Sequence, residues 1–323
     1  MTKSTIKWGI LGPGKIAHEF VSDFQYVKNS EVVSVASRSL DRATAFAKKF
    51  NIKKSYGSYE ELYEDPEVEV IYIATPHNFH FEQSLAAMEA GKAVLCEKPI
   101  VTRLQDLDIL IRKAKEKDVY LMEGMWMYFL PAIKKAQYWL QQGKVGNIKC
   151  IKSDFGFPVA FDPNGRMYNP DLAGGTLLDM GIYPVAMANL WLGDSPSELK
   201  VAARMAKTGV DADVVATLAY ADATAILHSS FECRLSNLTH IIGEEGTIVI
   251  PDFWGAKKAQ LFKDGALIDK FEDTDGGRGF RYEIQAVTND LLSGRKESSV
   301  LSHKVSGSLQ KIMSEIFELF PRR

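Results

Sequence analysis

Ile6-Lys7-Trp8-Gly9-Ile10-Leu11-Gly12-Pro13-Gly14-Lys15-Ile16-Ala17 (IKWGILGPGKIA) decides the fold class of this chain. Its apolar half, Ile6–Leu11, reads as a strand, and Gly12-Pro13-Gly14-Lys15-Ile16-Ala17 then has the form G-x-G-x-x-A and opens a helix over Lys15–Tyr26. Each small residue has a physical role. Gly12 makes the tight turn, Gly14 lets backbone approach a pyrophosphate, and Ala17 lets the helix pack closely on the strand. The open helix N-terminus offers unpaired N–H groups and a positive dipole to phosphates.

The pattern repeats outward from this motif. Val32–Ser37, Val68–Ala74, Ala93–Cys96 and Val119–Met122 read as strands. Asp41–Phe50, Phe79–Ala90 (closed by Gly91) and a helix opened by Thr102 with Gln105 and running to Lys117 alternate with them. Ser58 followed by Glu61 is a capping box that starts a short helix. Continuous apolar strands alternating with helices imply a parallel sheet covered on both faces. Beyond Gly124 the order changes. Helices are expected over Leu130–Gln142, Ala173–Leu192, Gly279–Leu292 and His303–Leu319, around an extended Ile148–Phe155 and a run of short strands between Leu199 and Phe271. Lys263-Asp264-Gly265 marks a hairpin turn among those strands. The expected architecture is α/β: a dinucleotide-binding Rossmann domain over 1–123, and an α+β domain over 124–323 with a large, mostly antiparallel sheet that binds substrate and dimerises.

Composition narrows the partners. In 323 residues, 46% are hydrophobic and 25% charged, with a net charge of −2, the balance of a soluble globular protein. Basic residues form scattered pairs rather than a stripe, so no nucleic-acid partner is expected. No apolar run is long enough for a membrane span. No secretory leader is expected, because the first strand begins at Ile6. The three cysteines, Cys96, Cys150 and Cys233, lie far apart without metal or redox spacing, which fits a reducing cytoplasm. His77 and His80 lack a carboxylate or thiol at ligand spacing, so no metal is expected.

The end of the second strand bears on the cofactor. An acidic residue there would hold the ribose 2′-hydroxyl of NAD. This chain has Ser37-Arg38-Ser39 and Arg42 instead. Guanidinium and hydroxyl groups favour a 2′-phosphate, so NADP is expected ahead of NAD.

Three further segments are informative together: Ala74-Thr75-Pro76-His77-Asn78-Phe79-His80, Cys96-Glu97-Lys98-Pro99 and Gly174-Gly175-Thr176-Leu177-Leu178-Asp179-Met180-Gly181-Ile182-Tyr183. With the glycine motif, they resemble the Gfo/Idh/MocA oxidoreductase family over essentially the whole chain, and within it the dimeric dihydrodiol dehydrogenase and NADP-dependent D-xylose 1-dehydrogenase branch. The resemblance implies hydride transfer between NADP and a sugar, a cyclic diol or a related carbonyl or alcohol. It implies Lys98 and Tyr183 as catalytic residues, with Asp179 orienting substrate or tuning Lys98. Tyr183 stands where many relatives have His. A nearby ammonium would favour its phenolate. Asp179 and Tyr183, at i and i+4, are expected on one helix face.

The resemblance further implies Thr75, Pro76, His80, Glu97 and Lys98 at the cofactor, beside Gly12, Gly14, Lys15, Ile16, Ala17, Ser37, Arg38 and Arg42. It implies a cis Lys98–Pro99 bond, substrate walls from Trp126, Phe155, Trp254 and Phe280, and a homodimer through the C-terminal sheet. Two other functions share such a fold. One is a glycosidase that keeps its dinucleotide bound, which the Arg38/Arg42 signature disfavours. The other is a non-catalytic NADP-responsive regulator, which has no need of an acid/base pair.

Overall fold

The computed structural model describes residues 5–321, and among them the elements follow the expected alternation closely. The first part contains β1 (Ile6–Leu11), α1 (Lys15–Ser22), β2 (Ser30–Ala36), α2 (Leu40–Phe50), β3 (Lys54–Tyr56), α3 (Tyr59–Glu64), β4 (Val70–Ile73), α4 (His80–Glu89), β5 (Ala93–Glu97), α5 (Leu104–Glu116) and β6 (Leu121–Gly124). The strands form one parallel sheet in the order β3-β2-β1-β4-β5-β6. The order reverses between β1 and β4, which places the glycine turn after β1 at the topological switch point where such sheets bind ligands.

Both faces are covered, which is why the strands read as unbroken apolar runs. On one face Trp8, Phe20 and Tyr72 are fully buried, with Phe20 stacked on Tyr72 at 3.6 Å between ring centroids. On the other, Leu11, Ile71, Ile73 and Val94 pack with Leu62, Met88, Leu107 and Leu110 from the helices. The Ser58/Glu61 capping box forms as expected. The start of α5 differs: its N-cap is Arg103, not Thr102, and the Arg103 guanidinium reaches forward to Asp106 at 2.8 and 2.9 Å. The expected helix to Tyr26 stops at Ser22, and a 3₁₀ turn over Asp23–Tyr26 follows.

That early stop has a cause far along the chain. The Asp23 carboxylate is almost fully buried and accepts from the backbone N–H groups of Arg278 (2.8 and 3.1 Å), Gly279 (2.8 Å) and Arg281 (3.2 Å). These are the orphan donors at the start of a late helix, Phe280–Leu292, so Asp23 caps it from a distance. Residues up to Trp126 therefore form one compact unit with Gly276–Ser306, whereas the sequence reading keeps the whole of 124–323 together.

The second unit comprises Met127–Asp275 and the residues from Gly307 onward. It contains α6 (Pro131–Gln141), β7 (Ile148–Gly156), α7 (Ile182–Leu192), β8 (Glu198–Met205), β9 (Asp211–Ala219), β10 (Thr224–Ser230), β11 (Leu238–Gly243), β12 (Thr247–Pro251), β13 (Lys258–Lys263) and β14 (Ala266–Glu272). The late helix of the first unit is α8, and the division between the units falls within α9 (His303–Glu318). The eight strands lie in the order β14-β13-β12-β11-β7-β10-β9-β8. All pairs are antiparallel except β7 with β10. Asp264 and Gly265, both at positive φ, make the expected two-residue hairpin between β13 and β14. Helix α7 is buried along Ile182–Asn189 and packs on β7 and β10.

Asp23→Ala should leave three N–H groups at and just before the start of α8 without their acceptor and lower stability by about 3 kcal/mol, with Asp23→Asn losing less. Urea unfolding of the three proteins measures this; equal midpoints would show that the cap contributes nothing.

Candidate active site

The dinucleotide elements lie at the carboxyl ends of β1 and β2. Gly12 has φ +90°, and a Cβ there would lie 2.9 Å from Thr75 Cγ2. The requirement for glycine is thus both conformational and steric. Gly14 is the N-cap of α1 and makes no side-chain cap bond, so the helix presents its free N–H groups. Lys15 and Ile16 open α1, and Ala17 is fully buried. At the end of β2, Ser37 Oγ accepts from Ser39 N and Ser39 caps α2, while Arg38 and Arg42 are exposed. The Arg38 guanidinium lies 5.9 Å from the centre of the Phe79 ring. Both guanidinium charges also act on Tyr59, whose hydroxyl pKa is pushed up by burial and drawn down by the two arginines. Tyr59 thus joins the cationic group. Sequence reasoning missed it, because it stands at the start of a different helix.

The loop after β5 carries Lys98. The Lys98–Pro99 peptide is cis, as the resemblance implies. Two carboxylates grip this loop from behind. Glu97 accepts from Tyr72 Oη and from Lys98 N, the latter at 3.2 Å. Glu123 accepts from Ile100 N at 3.0 Å. His80 is fully buried, with Nδ1 2.7 Å from Pro99 O and Nε2 2.8 Å from Thr75 O. His80 and Glu97 therefore tie the Thr75-Pro76 turn and the Lys98 loop together. Both side chains are buried in the protein. Thr75 Oγ1 pairs with Gln83 at 2.6 Å.

Phe280, expected at a substrate wall, is also deeply buried. It is 1% exposed, stacked on Trp126 at 4.4 Å and edge-on to Phe20 at 5.8 Å. It backs Trp126.

Within the second unit, Tyr183 lies on the first turn of α7, with Phe155 edge-on at 5.6 Å. Phe155 in turn stacks on Trp254 at 3.9 Å and 7°. The segment before Tyr183 is not the α-helix expected from Ala173 onward. Leu177–Gly181 is a π-helical turn that runs into α7, so Asp179 and Tyr183 do not share one regular α-helix. Distant groups fix this turn. Asp211, buried, accepts from Leu177 N at 2.6 Å, and burial pushes its carboxyl pKa up to about 6. Gly175 has φ +119° and lies against Asp211, and its N–H donates to Met167 O at 2.9 Å. Asp179 accepts from Arg166 Nη1 at 2.9 Å. No local signal marks Arg166, because it comes from the loop after β7.

Among the described residues, no group of three or more His, Cys, Asp or Glu is placed to hold a metal ion. No helix among them is long and apolar enough to cross a membrane.

A nucleotide-binding sheet with its glycine turn at the switch point, followed by a lysine loop, defines an oxidoreductase built on a nicotinamide dinucleotide. Residues 6–125 match the family described as "Oxidoreductase family, NAD-binding Rossmann fold", and residues 133–249 match the GFO/IDH/MocA C-terminal domain. The chain belongs to the Gfo/Idh/MocA oxidoreductase family. It is 37% identical to a trans-1,2-dihydrobenzene-1,2-diol dehydrogenase of Mus musculus, over 96% of this chain and 95% of that one. It is 36% identical to the Danio rerio protein of the same name, with the same coverage. Among solved structures it resembles an aldose-aldose oxidoreductase from Caulobacter crescentus, with TM-score 0.89, 21% identity and coverage of 98% and 97%. It also resembles a 3-ketoreductase from Actinomadura kijaniata, solved with NADP and TDP-benzene, with TM-score 0.87, 25% identity and coverage of 98% and 100%.

Gly175→Ala would put a Cβ 2.2 Å from Asp211 Oδ1 and displace the carboxylate that holds the π turn. Turnover should fall on the order of a hundredfold while NADPH affinity stays unchanged. Steady-state kinetics beside a fluorescence titration checks this; unchanged turnover would show that the turn does not need Asp211.

Proposed function

We propose that this protein is an NADP-dependent dehydrogenase that oxidises a CH–OH group of a cyclic diol or a sugar, or reduces the corresponding carbonyl. The observation that carries this reading is Tyr183, seated against the stacked Phe155–Trp254 pair, in a chain similar along its length to dihydrodiol dehydrogenases. An aromatic stack suits the flat apolar face of a sugar or carbocycle, whose hydroxyls point away from it.

NADP⁺, when bound, supplies the hydride acceptor. Gly12, Gly14, Lys15, Ile16 and Ala17 would receive its pyrophosphate, and Arg38 and Arg42, with Ser37 close by, its 2′-phosphate. Thr75 and Pro76 form the turn that closes over Gly12. In the first unit Lys98 offers positive charge to a substrate oxygen, and in the second Tyr183 exchanges a substrate hydroxyl proton. In oxidation Tyr183 takes the O–H proton, and in reduction it returns one to the same oxygen. Asp179, fixed by Arg166, orients the substrate. In the second unit Phe155 and Trp254 offer an apolar face; in the first Trp126 does so, with Phe280 supporting it from within.

The large sheet supports a homodimer. On β10, Ala225 and Leu227 are buried while Ile226 between them is exposed, which places one large apolar side chain on the face that a second copy would cover. Cysteines that lie singly along the chain suit a reducing, cytoplasmic setting.

A screen of NADP⁺ reduction over cyclic trans-diols and aldoses, repeated with NAD⁺, tests the reading directly; no turnover on either class would overturn it. Tyr183→Phe should cut turnover by roughly 10²–10⁴-fold with little change in NADPH affinity. Full activity would remove Tyr183 as the acid/base group. Arg38→Ala should weaken NADPH by about ten- to a hundredfold and leave NADH nearly unaffected, as loss of a charge-assisted bond to phosphate predicts. Equal effects on both dinucleotides would overturn the 2′-phosphate assignment.

A further inference from the structure

Helix α8 drives Glu283 into the interior of the first unit. The residue is 0% exposed, and among the described residues no hydrogen-bond partner reaches either of its carboxylate oxygens. A buried polar group without a partner requires a physical account. The groups that act on it are two more buried acids, Glu97 at the end of β5 and Glu123 in β6.

These acids are not idle. Glu97 takes Tyr72 Oη and Lys98 N, and Glu123 takes Ile100 N. The two carboxylates thus hold backbone on both sides of Pro99. The other titratable groups nearby are Cys96 on β5, which feels Glu97 and Glu123; Lys98, whose charge reaches Glu123; and Tyr120, which feels Glu283 and its helix neighbour Asp290. Tyr72 and Tyr120 direct their hydroxyls to Glu97 and Asp290.

A third ionised carboxylate here would add like charge and lose its hydration without a donor in return. A protonated carboxyl instead carries its own hydrogen, the one donor that a set of carboxylates can supply to itself. We infer that Glu283 is a neutral acid in the folded protein, that its lack of charge spares the Glu97 and Glu123 carboxylates a third like charge beside them, and that it is a positioning residue for the loop carrying Lys98. Burial and the two neighbouring acids push its pKa well above the ordinary carboxylate value. With the folded-state value raised, wild type is favoured at low pH and loses that advantage as pH climbs above the unfolded value of about 4.3.

The test compares wild type, Glu283→Gln and Glu283→Leu as full-length proteins. In urea unfolding from pH 5 to pH 8, Glu283→Gln should gain on wild type as pH rises, by up to about tenfold in the folding constant per pH unit. Wild type at pH 7 should show the infrared carbonyl band of a protonated carboxyl group, and Glu283→Gln should lack it. A stability difference that does not change with pH, or absence of that band, would overturn the proposal. In kinetics, which rest on the proposed role of Lys98, Glu283→Leu should lose kcat on the order of tenfold or more at unchanged NADPH affinity. Glu283→Gln, which keeps a neutral donor, should rescue it. Wild-type kcat in Glu283→Leu would overturn the positioning role. Should wild type oxidise no substrate at all, the unfolding and infrared measurements still decide the proton.

Discussion

The buried carboxylate of Asp23 determines what the first unit contains. An α-helix begins with N–H groups that have no partner inside it, and such donors cannot be buried unpaired without cost. Helix α8 begins with Gly279 as its N-cap residue, which has no side chain to cap it. Asp23 supplies the missing acceptor, and so α8 is docked beside α1 and β1. From that docking follow the Phe20–Phe280–Trp126 aromatic column and the delivery of Glu283 to the acids behind Lys98. Further polar ties hold the same helix: Ser30 Oγ to Thr288 Oγ1 at 2.6 Å and Lys28 N to Gln285 Oε1 at 2.9 Å. The first unit is therefore completed by a segment encoded long after its sheet.

The second unit solves a similar problem by the same means. Its π turn has backbone donors pointing inward at Leu177 and Thr176, and Asp211 on β9 receives them. A side chain from a neighbouring strand can set the turn's register because Gly175 leaves room for the carboxylate. Burial pushes the Asp211 pKa up to about 6, and the backbone bonds only partly offset it. Asp179 is then held on the opposite flank by Arg166. Tyr183 enters α7 from a turn with two charged supports, neither of which comes from its own helix.

Much of this was legible in the sequence, for a physical reason. Elements set by short-range rules read correctly: the strand and turn at Ile6–Gly14, the Ser58/Glu61 capping box, the Asp264-Gly265 hairpin, and the change from parallel to antiparallel organisation near Gly124. Each depends on residues within a few positions of one another. The differences arise where a distant group overrides local preference. Thr102 has the chemistry of a cap, but Arg103 occupies the position and reaches Asp106 instead. The apolar run from Ala173 has the spacing of one helix, yet Asp211 and Gly175 impose a π turn within it. Lys15–Tyr26 lacks a local stop at Ser22; Asp23 leaves the helix because α8 needs its carboxylate. Arg166 and Tyr59 carry no local mark at all, since their importance lies in what the fold brings beside them.

The motif residues show the same division at finer grain. A signature such as Cys96-Glu97-Lys98-Pro99 reads from sequence as a row of functional groups, all candidates to touch a ligand. Placing one ammonium reproducibly takes several groups that never reach the ligand, because a loop's backbone must be held by donors and acceptors of its own. Glu97 and Glu123 do this for the N–H groups on either side of Pro99, and His80 does it for the carbonyls of Thr75 and Pro99. All three are buried, and burial is what makes them effective, since a bond excluded from water holds its geometry, whereas the same bond in solvent would exchange. A buried acid layer has to be neutralised from within. Tyr72, Ser306 and the backbone N–H groups of Lys98 and Ile100 contribute hydrogens to it. Glu283, the one member of the three acids that no donor reaches among the described residues, is where the remaining proton belongs.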